Sequence, residues 1–342
     1  MEVRPIRVVQ YGLGASGKDI ARLIDQTPGF LLVGGIDHNP DLIGQDLGEV
    51  AGLGRRLSTP VEGDPLAVLA ATYPDVVVVA TTSLLNETYP QIATCLRARV
   101  NVVSTCEELV YPYVQHPQLA HNLNDLARQG RVSVIGVGIN PGFIQDLLPL
   151  VLTGPCANVQ RITATRVFSA TIRRASIHQR IGAGLSVEEF NRQMDENGPP
   201  HTGLRESVHL IAHSIGWDLD RVDERIDSII SDELVHDERV RIAPGQVIGA
   251  RQTATGILHG REVISLTWQV SLDSNETYDS IIIDGTPPIK LRIEGGIHGG
   301  EAAPAMVLHA LAPTVEAAPG LHTVAELPPL HYRAPAHTVR AE

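Results

Sequence analysis

The sequence predicts an α/β fold of two domains, on three observations. A glycine-rich turn near the start joins a β-type run to a helical pattern. Apolar runs and helical patterns then alternate through the first half, and strand-like segments cluster in the second. Alternation is the signature of a parallel sheet wound with helices, whereas strands grouped after it indicate an α+β domain on a mainly antiparallel sheet. The expected division is a first domain over residues 1–150, a second over 151–297 for substrate and dimerisation, and a closing segment, 298–342, that packs back on the first.

The first strand, residues 7–11, runs into Gly12-Leu13-Gly14-Ala15-Ser16-Gly17, and a helix follows at once. The next strand, residues 30–36, ends in Asp37. Together these are the parts of a Rossmann dinucleotide-binding domain. Gly12 allows the tight turn, Gly14 lets backbone approach a pyrophosphate, and Gly17 lets the helix pack closely on the sheet. The helix aims its free N–H groups at the phosphates, and Asp37 is placed for an adenosine ribose. The residues expected to bind cofactor here are Gly12, Leu13, Gly14, Ala15, Ser16, Gly17, Asp37, His38 and Asn39. Asp37 alone favours NAD(H), because a carboxylate repels a 2′-phosphate. His38, Asn39, Arg55 and Arg56 are near enough in sequence to accept one, so NADP(H) stays open.

Residues 64–73 read as a helix, and Asp75-Val76-Val77-Val78-Val79-Ala80 as a strand buried on both faces. Thr81, Thr82 and Ser83 follow at the carboxyl edge, where ligands of such sheets sit; the alternative is that they cap the next helix, over 86–97. The strand at 100–104 leads to Thr105-Cys106-Glu107-Glu108. An acidic pair at a strand's carboxyl end is the most suggestive chemistry in the chain. Its plain alternative is two solvated glutamates at a helix start. Adjacent residues point in different directions, so one of the pair is expected to face the cleft. A helix over 115–129 and a strand over 131–135 open into residues 136–143, where Asn140, Pro141 and Gly142 form an irregular loop suited to approach a nicotinamide.

Helix resumes over 144–152, and strands are expected at 159–169, 228–234, 246–258, 262–272, 279–283 and 290–294. Ser186 with Glu189 is a capping box for one helix, and another spans 204–215. Phe143, Ile144, Phe168, Ile172 and Trp268 are candidate walls of an apolar substrate pocket, with Thr171, His178 and Gln179 as polar orienters. Each has core packing as its alternative. An alanine-rich helix begins near residue 297, and residues 319–324 follow it.

The formal charge of −12 argues against a nucleic-acid surface. No apolar run is long enough to span a bilayer, and the start lacks a charged-then-apolar signal segment. Cys95, Cys106 and Cys156 are widely spaced, which suggests reduced thiols in a cytoplasm. No spacing of His, Cys and carboxylates suggests a metal.

With these residues in place, the chain resembles the 2,4-diaminopentanoate dehydrogenases and the native amine dehydrogenases related to them, in the wider dihydrodipicolinate-reductase-like group. The stretches that carry the resemblance are Val9-Gln10-Tyr11-Gly12-Leu13-Gly14, Ala80-Thr81-Thr82-Ser83 and residues 44–50, 104–112, 136–143, 181–186, 295–303 and 319–321. The resemblance implies NAD(P)-dependent oxidative deamination of an amine, or reductive amination of a ketone or aldehyde with ammonia. It further implies a homodimer and one active-site glutamate on the loop after the fifth strand. Glu107 is preferred over Glu108, because the related homoserine dehydrogenases carry a functional lysine at a similar distance past their strand. The His-His and lysine motif of dihydrodipicolinate reductases has no match here. No residue stands out for the carboxylate of a diamino acid substrate, with Arg173, Arg174 and Arg180 as candidates. The competing readings are a diamino acid dehydrogenase, an ammonia-independent carbonyl or imine reductase, and a non-catalytic nucleotide sensor.

Overall fold

A computed structural model of the chain describes residues 4–170, 175–236, 241–274 and 276–333. Two compact units result, Met1–Phe143 with His298–Glu342, and Ile144–Ile297. The chain begins β1 (Ile6–Tyr11), α1 (Ala15–Gln26), β2 (Phe30–Ile36), α2 (Leu47–Ala51), β3 (Val61–Glu62) and α3 (Pro65–Thr72). It continues β4 (Val76–Val79), α4 (Leu85–Arg97), β5 (Asn101–Ser104), a 3₁₀ turn at Glu107–Val110, α5 (Pro117–Gly130) and β6 (Ser133–Gly136). The second unit holds α6 (Leu147–Thr153), β7 (Asn158–Ser169), α7 (Ala175–Arg180), α8 (Val187–Asn197), α9 (Leu204–Ile215) and β8 (Arg221–Ile230). Next come β9 (Val235–His236), β10 (Arg241–Ile242), β11 (Val247–Leu258), β12 (Arg261–Ser271), β13 (Tyr278–Thr286) and β14 (Ile289–Glu294). Finally α10 (Gly299–Glu316) and β15 (Gly320–His322) belong to the first unit.

The first unit is a seven-stranded parallel sheet in the order β15-β6-β5-β4-β1-β2-β3. Every valine of β4 is fully buried, as a central strand covered on both faces requires. One face packs Val77, Val79 and Val102 against Leu85, Ile92, Leu96 and Leu123 of α4 and α5. Helices α1 and α10 pack together, and α10 lies on β5 and β6. The strand order reverses between β1 and β4, so the carboxyl ends of those two strands flank the crevice where open α/β sheets bind ligands.

The second unit is a six-stranded sheet ordered β14-β13-β7-β12-β11-β8. Its pairings are antiparallel except for β7 with β12, which run parallel. One face buries Ile162, Ala164, Leu266 and Ile281 against Leu204, Val208 and Ile211 of α9. The other presents half-buried Thr163, Thr165, Thr253, Ser265 and Thr267. The Ser186–Glu189 capping box opens α8 as the sequence predicts, with both reciprocal bonds made.

One strand differs from expectation, and two elements have no counterpart in the sequence reading. The strand expected at 228–234 is β8, Arg221–Ile230. Its alternating charges conceal it, because an edge strand turns few side chains, among them Val222, Ile226 and Ile229, onto the core. Residues 47–51 form a short helix, α2, because the Asp46 side chain accepts the Gly48 N–H and caps it. Residues 320–322 form a seventh strand of the first sheet, β15, pairing in parallel with β6.

Candidate active site

Gly12 leaves β1 at φ +91°, and a Cβ there would stand 2.4 Å from the Ala80 carbonyl oxygen and 2.8 Å from Thr81 Cγ2. A Cβ on Gly17 would meet the Gly12 carbonyl oxygen at 1.9 Å, so this pair of glycines lets α1 close on the turn. Gly14 is the opposite case: nothing lies within 4 Å of its Cβ position, and it is exposed. Gly14 is also the N-cap of α1 and has no side chain to cap it, and Ala15 and Ser16 are exposed beside it. A dinucleotide fits this cradle, since the open glycine and uncapped helix start are what a pyrophosphate needs. Leu13 faces inward with its side chain buried, and its N–H donates to Asp37 Oδ2 at 2.7 Å. The Asn39 N–H donates to Asp37 Oδ1 at 2.8 Å, while the His38 and Asn39 side chains are exposed.

The hydroxyls after β4 serve α4. Thr81 donates to Gln91 Oε1 at 2.6 Å, and Thr82 donates to Glu87 Oε2 at 2.7 Å. Ser83 does not cap the helix; the N-cap is Leu84, which has no polar side chain. The Ser83 carbonyl instead accepts the Glu108 N–H at 3.3 Å and the Cys106 thiol at 3.2 Å.

These bonds tie the 3₁₀ turn after β5 to the start of α4. Glu108 Oε2 accepts the Leu85 N–H at 2.6 Å and lies 2.9 Å from His116 Nε2. Its carboxylate therefore supplies the cap that α4 lacks, from 23 residues away. Glu107 is half-buried at the first position of the same turn. Burial, with the two glutamates adding to it, pushes the Cys106 thiol up to about 12, which makes it inert. A Cβ on Gly136 would touch the Leu109 carbonyl carbon at 2.7 Å, so the loop after β6 lies against this turn. Within that loop Gly138 closes on Pro141, with a Cβ position 2.7 Å from the Pro141 carbonyl oxygen, and Pro141 and Gly142 are buried beside half-buried Asn140. Phe143, half-buried, ends this part of the first unit.

In the second unit Ile144 is buried, and Phe168 packs with Ile181, Phe190 and Val270, with Trp268 at the edge of the cluster. His178 is buried with Nε2 3.1 Å from the Ala170 carbonyl oxygen, and Gln179 is exposed. Thr171, Ile172, Arg173 and Arg174 lie outside the described residues. Two features here have no sequence signal. Arg166 and Asp279 form a buried ion pair at 2.8 Å that also holds both backbone groups of Ile297: Arg166 donates to its carbonyl at 2.7 Å, and its N–H donates to Asp279 at 2.7 Å. His201 stacks on Trp268 at 5.4 Å, and burial, followed by Arg166 and Arg180, pulls its pKa down to about 3. Each partner sits far from the other in sequence, and Arg166, Asp279 and His201 belong to no local motif. Among the described residues, no group of three His, Cys, Asp or Glu is arranged to hold a metal, and no helix is long and apolar enough to cross a membrane.

Residues 143–338 match the family model described as the 2,4-diaminopentanoate dehydrogenase C-terminal domain, and residues 6–106 match that of the dihydrodipicolinate reductase N-terminus. The chain is 31% identical to 2,4-diaminopentanoate dehydrogenase of Acetoanaerobium sticklandii, over 94% of this chain and 93% of that protein. It is 26% identical to an amine dehydrogenase of Streptomyces virginiae, over 94% and 96%. The structure of an amine dehydrogenase from Mycobacterium smegmatis superposes with a TM-score of 0.82 at 25% identity, covering 96% of this chain and 97% of that one. A dihydrodipicolinate reductase from Paenisporosarcina shares the fold, at a TM-score of 0.54, 13% identity, and 93% and 97% coverage.

Proposed function

The chain belongs to the 2,4-diaminopentanoate dehydrogenase family, and from that premise we propose that it is an NAD(P)-dependent amine dehydrogenase joining ammonia to small ketones or aldehydes, and reversing that reaction. Gly12, Gly14, Ala15, Ser16, Gly17 and Asp37 would hold the cofactor, with Thr81 and the Asn140-Pro141-Gly142 loop beside it. When bound, the nicotinamide supplies or accepts the hydride. The chain's own residues handle the proton and the charge.

The observation that carries the reading is the acidic pair on the 3₁₀ turn after β5, against which the loop after β6 lies. Glu108 caps α4 and meets His116; we assign the chemistry to Glu107, the member that the family resemblance favours. A carboxylate there holds ammonium, takes a proton as nitrogen attacks the carbonyl, returns it to the hydroxyl of the resulting carbinolamine so that water leaves, and steadies the iminium cation that forms. In deamination the same carboxylate takes a proton from the water that adds to the iminium and gives it to the departing ammonia. Cys106, buried and neutral, takes no part.

A second reading, a diamino acid substrate, is favoured by the 31% identical relative. Against it, Arg166 is spent on Asp279 in the core and offers no anchor for a substrate carboxylate. Homodimer assembly is part of the proposal, as is a cytoplasmic setting, which suits the three free thiols.

The test is oxidation of NADH and NADPH with a panel of short ketones and aldehydes, with and without high ammonium at alkaline pH, together with oxidation of 2,4-diaminopentanoate and simple amines. Ammonium-dependent turnover is expected, and Glu107→Gln should lower it on the order of 10²–10⁴-fold. Turnover indifferent to ammonium would sink the amine reading and leave a carbonyl reductase.

A further inference from the structure

We infer that Gln10 is a positioning residue for the cofactor: it holds the glycine turn in the shape that receives the pyrophosphate, although it lowers the stability of the sheet. The inference rests on the dinucleotide reading above and adds to it a residue outside the glycine fingerprint. Gln10 lies in β1, between β2 and β4, and is fully buried. Apolar Val8, Val9 and Tyr11 are buried beside it in the same strand. Its Nε2 donates to the Gly12 carbonyl at 3.0 Å. Among the described residues, nothing donates to its buried Oε1. Such an oxygen gives up its water and receives nothing in return, which is destabilising. A leucine or methionine would fill the place without that loss. Packing therefore does not account for a glutamine here, and the bond to Gly12 does.

Two side chains from neighbouring strands hold the Gly12–Leu13 peptide. Gln10 takes its carbonyl, and Asp37, which follows β2, takes its N–H at 2.7 Å. A peptide unit is planar, so bonds at both ends fix the direction in which the chain leaves the strand. The carbonyl sits under α1, where a Cβ on Gly17 would strike it, and Gly12 itself is buried. Among the described residues, no backbone N–H donates to that carbonyl. Without Gln10 it is a buried acceptor with no donor, and the peptide gains by rotating it toward water. That rotation swings Leu13, Gly14 and the start of α1. Gly14 is exposed with open space around it, and the helix start carries no side-chain cap. These N–H groups bind a pyrophosphate best when they are already aimed at it.

The experiment compares the full chain with Gln10→Met and Gln10→Leu, with no amine present. NADH and NADPH binding is followed by nicotinamide fluorescence, ADP-ribose binding by displacement of NADH, and stability by denaturant unfolding. Both nucleotides and ADP-ribose are expected to bind on the order of tenfold more weakly, the worth of one hydrogen bond in the turn. The unfolding midpoint without nucleotide is expected to hold or rise, because the orphaned oxygen is gone and the freed carbonyl can turn to water. Unchanged affinities in a folded variant overturn the inference. So does a lower midpoint, or failure of both variants to fold, since either makes Gln10 a structural residue. A loss for NADH that spares ADP-ribose also overturns it, because the effect then lies at the nicotinamide end. An unmodified chain that binds no nucleotide overturns this inference and the dinucleotide reading together. Binding that depends on Gln10 in a chain without ammonium-dependent turnover upholds the inference and removes the amine reaction alone.

Discussion

Glu107 and Glu108 are the same side chain in consecutive positions, and their surroundings separate them. Glu108 stands at the amino end of α4, where a carboxylate meets both an unpaired N–H and the positive end of the helix dipole. Replacing it by alanine removes that bond and orphans His116, so Glu108→Ala should lower stability by about 1–2 kcal/mol in denaturant unfolding. Glu108→Gln keeps an acceptor for the Leu85 N–H and should cost less. Either change should lower turnover far less than Glu107→Gln; a Glu108→Gln chain that is fully folded yet inactive would reverse the assignment. The sequence showed that an acidic pair follows a strand. It could not show that Glu108 caps α4, because the partner is a backbone amide at the start of a helix 23 residues away. The glycines were legible, since their chemistry is local: a Cβ at Gly12 or Gly17 collides with neighbouring backbone.

At the scale of elements, Asp46 shows how one side chain replaces a missing regular structure. Its carboxylate accepts N–H bonds from Leu57 at 2.9 Å, Gly48 at 2.9 Å and Thr59 at 3.3 Å, closing the loop between α2 and β3. Those bonds, Leu57 first, hold its pKa below the ordinary 3.8. A depressed carboxylate adds stability that is fully present above its unfolded pKa and lost as pH falls through the folded one. Asp46→Asn should therefore flatten the fall in unfolding free energy between about pH 5 and pH 3; an equally steep fall would show that Asp46 is not a source of it. Strands with strong apolar runs, such as β2 and β4, were readable from sequence. The charged half of β8 was not, because only one side of an edge strand is buried. Nor was β15, whose Gly320 and Leu321 N–H groups are received by the Val132 carbonyl and Asn124 Oδ1, contacts that exist only once the sheet has formed.

At the scale of the molecule, the proposed homodimer can be tested at the face of the second sheet opposite α9, which carries half-buried Thr163, Thr165, Thr253, Ser265 and Thr267. The face is a flat row of threonines and serines flanked by charges of both signs, among them Arg225 paired with Asp227 at 2.7 Å. Sedimentation is expected to give the mass of two 36.8 kDa chains, and Thr165→Arg in the middle of that face should give one. A single-chain mass for the unmodified protein at micromolar concentration would rule the assembly out. By itself the sequence determined the sheet type of each half, the glycine cradle and the acidic turn, because these depend on periodicity and on conformations available to a few neighbouring residues. Tertiary structure alone decided that Glu108 caps α4, that Arg166 meets Asp279, and that β15 completes the first sheet. Each of these joins groups distant along the chain, and their pairing is fixed by which charges and backbone amides folding leaves side by side.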